Sequence, residues 1–140
     1  MRNADRTSVI TCFVTKDDRV LLLQRSGKVG TYRARWAGVS GYLEVEDAAE
    51  QCRIELEEEL GLGIEDAILE VTGQPLEVVD PKNARVWLVH PFRFALRQGV
   101  TPRLDWEHVA MRWVDPQTIQ DMDTVPGLWE AWLRVSNSHY

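Results

Sequence analysis

Cysteine and histidine are scarce in this chain, at two and three residues out of 140. A zinc site needs several such ligands at regular spacing, and Cys12, Cys52, His90, His108 and His139 do not supply that spacing. Both cysteines fall in apolar phases of predicted elements, so each is expected to be a buried, reduced thiol. Positive charge is also short. Sixteen Lys plus Arg against 22 Asp plus Glu leaves a net charge of −6. That balance argues against general nucleic-acid binding, while a local basic patch can still hold phosphate. No apolar run approaches the roughly 20 residues of a membrane span. The β-rich run at residues 8–14 is too short even for the apolar region of a signal peptide. The cytoplasm is therefore the expected compartment. Internal repeats, linkers and low-complexity segments are absent. A length of 140 residues with 44% hydrophobic content suits one domain over residues 1–140, large enough to bury a substantial core.

What the chain has in quantity is glutamate, concentrated between a glycine turn and a glycine stop. Gly41-Tyr42-Leu43-Glu44-Val45-Glu46 leads into a run that ends Glu55-Leu56-Glu57-Glu58-Glu59-Leu60-Gly61. Glu55, Glu58 and Glu59 stand at i, i+3 and i+4, so a helix projects all three from one side. Ala48, Ala49, Cys52, Leu56 and Leu60 form an apolar arc suited to packing on a sheet. Glu55 and Glu59 lie at the border of that arc, Glu58 a little further round, and Glu50 and Glu57 point to solvent. A solvated acidic helix face is the commoner use of such a run. Like charges in these positions repel, however, and a cluster at the edge of a core points instead to a hard divalent cation, which takes oxygen ligands and brings phosphate with it.

The stretch resembles the Nudix box: Gly, five residues, Glu, seven residues, Arg-Glu, an aliphatic, one residue, Glu-Glu, one residue, Gly, aliphatic. Counting back from Gly61-Leu62, the match holds at Glu59, Glu58, Leu56, Glu55 and Glu46. Two positions depart from it. The box arginine falls on Ile54, with Arg53 one place early. The opening glycine falls on Ser40 by count, while Gly41 fits a turn one residue shorter. Ile54 is expected to be a vacated charge site next to Glu58.

The layout agrees. Residues 9–14 and 20–24 read as a hairpin about Lys16-Asp17-Asp18, and Leu22-Leu23-Gln24-Arg25 is similar to the family's early strand. Residues 27–35 form a basic loop. Strands are expected at 68–72, 76–79 and 85–96, with a turn at Asp80-Pro81-Lys82-Asn83. Pro91 inside the long strand predicts an edge position or a bulge. Trp113-Val114-Asp115-Pro116 resembles the last strand and the helix start after it, and residues 128–135 read as a terminal helix whose Trp129 and Trp132 pack. The resemblance implies an α/β fold, a Nudix-like α/β/α sandwich with a mixed β-sheet.

The resemblance also implies a Mg²⁺-dependent (or Mn²⁺-dependent) hydrolase. It would cleave a diphosphate bond in a nucleoside diphosphate linked to another group, with small-molecule diphosphates as partners. Glu55, Glu58 and Glu59 are the expected metal ligands. Glu58 is the chosen base, assisted by Glu55, with Glu107 or His108 as a second base outside the box. Arg25 and Arg35 can clamp an outer phosphate, and Arg33 is a further candidate. Trp36 and Gly41 complete the expected substrate side. Among the six tryptophans, Trp36, Trp87 and Trp106 are candidates for stacking on a base, against a core-packing alternative. A homodimer is compatible with the sequence; a membrane association is not expected. Three other readings stay open: a non-catalytic nucleotide-sensing domain, an interaction module, and an isopentenyl-diphosphate isomerase-like enzyme, which requires a catalytic cysteine.

Overall fold

The computed structural model describes residues 6–136, so His139 lies outside the described residues. The chain opens with β1 (Arg6–Lys16) and β2 (Arg19–Arg25), an antiparallel hairpin. Asp17 and Asp18 carry it at φ 51° and 63°, the left-handed pair whose twist matches the flanking strands. Two short strands follow, β3 (Trp36–Ala37) and β4 (Val39–Tyr42), then helix α1 (Ala48–Leu60). After α1 come β5 (Ala67–Thr72), β6 (Leu76–Asp80), a 3₁₀ turn at Pro81–Asn83, and the long β7 (Arg85–Leu96). The chain closes with β8 (His108–Val114), a 3₁₀ turn at Pro116–Asp121, and helix α2 (Leu128–Leu133).

All eight strands join one mixed sheet. β1 and β7 run parallel at its centre, from Arg6↔Val86 to Thr15↔Ala95; the other pairings are antiparallel. Each central strand divides its far edge between two short ones. β1 carries β4 along its first half and β2 along its second, while β7 carries β6 and then β5. Pro91 therefore sits in a central strand, not at an edge. Its carbonyl accepts from Gly73 N at 2.9 Å, in the gap where β5 ends and β6 has yet to begin. A strand residue turns its N–H and C=O to the same side, so the missing donor faces that gap and no ladder bond is lost. The register irregularity falls nearby instead, between Leu69 and Val71.

Period-2 alternation builds two cores. Ile10, Cys12 and Val14 of β1 and Phe92 and Phe94 of β7 face α1, where Cys52, Leu56 and Leu60 meet them. Each fully buried leucine contributes about 1.5–3 kcal/mol. On the opposite face Phe13, Trp87 and Val89 pack with Leu128, Ala131 and Trp132 of α2. This is the expected sandwich of a mixed sheet between two helices, with both cysteines buried and reduced. Asp47 caps α1 by accepting from Ala49 N at 2.9 Å. Gly61 ends it at φ 68°, donating to Glu57 O, a conformation that only glycine adopts at low cost. No helix among the described residues is long and apolar enough to cross a membrane.

Candidate active site

α1 presents its three carboxylates in graded burial. Glu58 is exposed and Glu55 partly buried, and both line a cleft of about 270 Å³. Glu59, on the side of Leu56 and Leu60, is only 3% exposed. Burial pushes the Glu59 carboxyl well above its usual range, and the neighbouring Glu55 carboxyl pushes it further. Burial also raises Glu55; contact with Glu59 pulls against that rise, and the charge of Glu58 adds to it. Among the described residues, Glu59 Oε2 is buried without a hydrogen-bond partner, an arrangement that costs about 1–3 kcal/mol. His108, expected as a base, is buried behind this pair and does not line the cleft. Its Nδ1 lies 2.8 Å from Asp105 Oδ1, and its Nε2 lies 3.5 Å from Glu59 Oε1. It lies against Glu59, outside the lining of the cleft. The preceding residue, Glu107, does line the cleft.

In the turn before α1, the glycine that lies against the helix is Gly41. A Cβ on Gly41 would lie 2.5 Å from the Glu55 carboxyl. A side chain there would push that flexible carboxylate aside, so glycine at 41 is what lets it approach the strand this closely. Gln51 is the residue that sequence reasoning missed. It is buried, and its carbonyl accepts from Glu44 N at 2.9 Å and Val45 N at 3.2 Å. Its amide donates to Glu55 Oε1 at 3.3 Å. One side chain thus ties the turn to the helix and orients the carboxylate. Its position one helical turn before Glu55 was the available signal. Arg53 does not replace the box arginine: its guanidinium lies over the Phe94 ring, 5.8 Å from the centroid. Ile54 is partly buried.

The other wall comes from loops and strand faces. Arg25 lines the cleft, with Nε donating to Thr31 O at 2.9 Å and one Nη to Thr31 Oγ1 at 3.3 Å. The remaining guanidinium donors are available to an anion. Arg35 and Trp36 are not among the cleft's lining residues. Arg35 donates to Thr124 O and pairs with Asp123 at 3.7 Å, while Arg112 covers the Trp36 ring at 5.8 Å. The bridge between Trp36 and Thr124 holds both residues on the flank. Arg33 is tied to Val29 O, and Trp106 is 72% exposed. Of the three candidate stacking tryptophans, only Trp87 reaches the cleft, in company with Tyr32 and Tyr42.

Among the described residues, no three His, Cys, Asp or Glu side chains form a ready-made cage for an ion. The donor set is nevertheless oxygen only, and the orphaned Glu59 oxygen lies within it. That fits a hard cation held on one side by carboxylates and completed by water and phosphate, the usual manner of Mg²⁺.

Residues 5–133 match the NUDIX domain, and the chain belongs to the Nudix family of pyrophosphohydrolases. The fold is shared with solved structures, three of them across nearly their whole length. A MutT protein from Methanosarcina mazei Go1 is 17% identical with a TM-score of 0.78, covering 96% of this chain and 95% of its own. A NUDIX hydrolase from Nitrosomonas europaea is 20% identical with a TM-score of 0.73, covering 97% and 98%. An Ap4A hydrolase from C. elegans is 15% identical with a TM-score of 0.71, covering 92% and 93%. No curated protein sequence matches the chain.

Proposed function

We propose that the protein hydrolyses a diphosphate bond in a nucleoside diphosphate linked to another group, with Mg²⁺ or Mn²⁺ held by Glu55, Glu58 and Glu59. The observation that carries this reading is the crowded carboxylate cluster of α1: Glu55 and Glu58 line the same cleft as Arg25, and among the described residues one buried Glu59 oxygen is unpartnered. When bound, the ion neutralises charge on the phosphates and makes a coordinated water acidic. The remaining work falls to the chain. Glu58, exposed to the cleft, accepts the proton of the attacking water, with Glu107 as the second carboxylate within the same space. Gln51 and Gly41 fix the position of Glu55. Glu59 is held from behind by His108, itself anchored on Asp105. Arg25 binds an outer phosphate through the guanidinium donors that Thr31 does not use.

Two of the rival readings lose support here. An isomerase needs a cysteine at the reacting centre, and Cys12 and Cys52 are fully buried in the core beneath α1. The case for a non-catalytic domain rested on Ile54, but Gln51 performs the orienting role that the missing arginine left open. The test is a screen of nucleotide sugars, dinucleotides and nucleoside triphosphates with Mg²⁺, reading phosphate products. Mg²⁺-dependent release by the parent, abolished in Glu58→Gln, supports the proposal. Release that survives Glu58→Gln, or none with any substrate, refutes it.

A further inference from the structure

We propose that a second cavity, toward the other end of the two central strands, is a binding site for a small carboxylate, with the Arg93 guanidinium as its anchor. The cavity measures about 730 Å³, room for a molecule and not only an ion. Thr15 and Lys16 of β1 line it, as do Arg93 and Ala95 of β7. The cleft is lined instead by Val9 and Thr11 of β1 and by Trp87 and Val89 of β7. From Thr11 to Thr15 is roughly 13 Å along the strand, and the two cavities share no lining residue. The site therefore stands apart from the hydrolytic reading above.

Arginine in the middle of a central strand is unusual. Arg93 is only 8% exposed and stands opposite Phe13 in the parallel seam. Buried guanidinium groups are normally paired through their donors, and this one is paired in part. One Nη donates to Val135 O at 2.8 Å, which ties the chain just beyond α2 to the sheet. That structural duty uses one corner of a five-donor fork. Nε is buried with no hydrogen-bond partner among the described residues. The half-exposed Glu70 carboxylate lies 3.3 Å from it, close enough to pair by charge but without hydrogen-bond geometry. A second orphan donor belongs to the same cavity. Trp132 lines it and packs edge-on against Phe13 with ring centroids 5.3 Å apart, yet its indole N–H is buried without a partner among the described residues. Two unsatisfied donors on lining residues call for an acceptor. The flat Nε–Nη edge of arginine matches the two oxygens of a carboxylate. Charge argues against phosphate. The lining sets Lys16, Arg19 and Arg93 against Asp17, Asp18, Glu70 and Asp115, an excess of negative charge that repels a dianion more than a ligand with one carboxylate.

The experiment uses proton–nitrogen correlation spectra of the isotopically labelled protein, in which the six tryptophan indoles report separately. Trp132→Phe and Trp87→Phe assign the two signals that matter. The probes are butyrate, γ-aminobutyrate and inorganic phosphate, each titrated at constant ionic strength against sodium chloride. Both carboxylates are expected to shift the Trp132 indole saturably and to leave the Trp87 indole, in the cleft, unmoved. Phosphate should leave the Trp132 signal in place. Glu70→Gln removes the competing carboxylate from a half-exposed position and should tighten binding by about threefold or more. Arg93→Lys keeps the charge but loses the fork and should weaken it about tenfold. Should Arg93→Lys fail to fold, Glu70→Gln alone carries the test. The absence of a saturable Trp132 shift overturns the proposal. So does a phosphate shift as strong as that of the carboxylates, a shift confined to Trp87, or unchanged affinity in folded Glu70→Gln.

Discussion

The two ends of the cleft are built on opposite electrostatic terms. At the α1 end, three carboxylates crowd together, one is almost fully buried, and one buried oxygen has no partner among the described residues. At the Trp87 end, the buried Asp80 carboxylate accepts from both Tyr32 and Asn83, and those hydrogen bonds hold it below its usual range. On the proposed reading, the α1 end is the one that a cation from solution would complete.

The sharpest way to break that comparison is at Glu58. Glu58→Gln should lower Mg²⁺-dependent turnover by at least about 100-fold, with thermal unfolding within a few degrees of the parent, because the residue is exposed. Initial rates and melting curves on the same preparation check both halves. Gly41→Ala comes next. Its new methyl displaces the Glu55 carboxyl and not the backbone, so a rate loss of about 10- to 100-fold is expected with little change in melting temperature. Unfolding of Gly41→Ala would show that the position serves the sheet instead.

Acid and base should separate the two ends by sign. Glu59 is raised in the folded state, so the folded protein binds more protons there than the unfolded chain once pH exceeds the ordinary glutamate value of 4.5. Without added metal, stability should therefore fall as pH rises from that value through the folded pKa. Asp80 is depressed below its ordinary 3.8, so its contribution is present above that value and is lost as pH falls through the folded pKa. Melting scans from pH 3 to pH 8 should show Glu59→Gln flattening the upper limb and Asp80→Asn the lower. Millimolar Mg²⁺ should raise the melting temperature at pH 8 by several degrees, as saturation near 100 times Kd contributes about 2.7 kcal/mol, and by far less at pH 4. The smallest effect is expected from Ile54→Arg. Position 54 is partly buried and Gln51 already orients Glu55. Melting should stay within a few degrees, and Mg²⁺ affinity, read by calorimetry, should rise no more than a few-fold.

The sandwich and its helix were legible because they rest on local rules. The apolar arc from Ala48 to Leu60, the Gly61 stop and the Asp17-Asp18 turn each encode their own geometry. The glutamate triad was legible for the same reason, since helical phase alone puts it on one side. Pro91 was misjudged because the rule for proline considers a strand with two continuous neighbours. It does not foresee a neighbour that is interrupted at that residue. Where Arg35, Trp36 and His108 lie relative to the cleft was not legible, because residue type and place along the chain do not say which way a side chain faces. Long-range pairing with Asp123, Thr124, Asp105 and Glu59 decided it. Gln51 was overlooked because its role depends on two backbone amides of the preceding turn, a closure that no periodicity announces.

The parallel seam between β1 and β7 has a consequence for how the chain reaches this state. Arg6 pairs with Val86, and Val14 with Phe94, so each contact along the middle of the sheet spans about eighty residues. Loop closure over such distances comes before its reward, which places the domain among slow folders of high contact order, in the range of milliseconds to seconds. On a ribosome adding about 5–20 residues per second, β1 must wait several seconds for its partner to be synthesised. During that interval α1 can form, but half of the apolar bed it packs against does not yet exist. The same two strands that form the centre of the finished sheet therefore make the nascent chain its most vulnerable form.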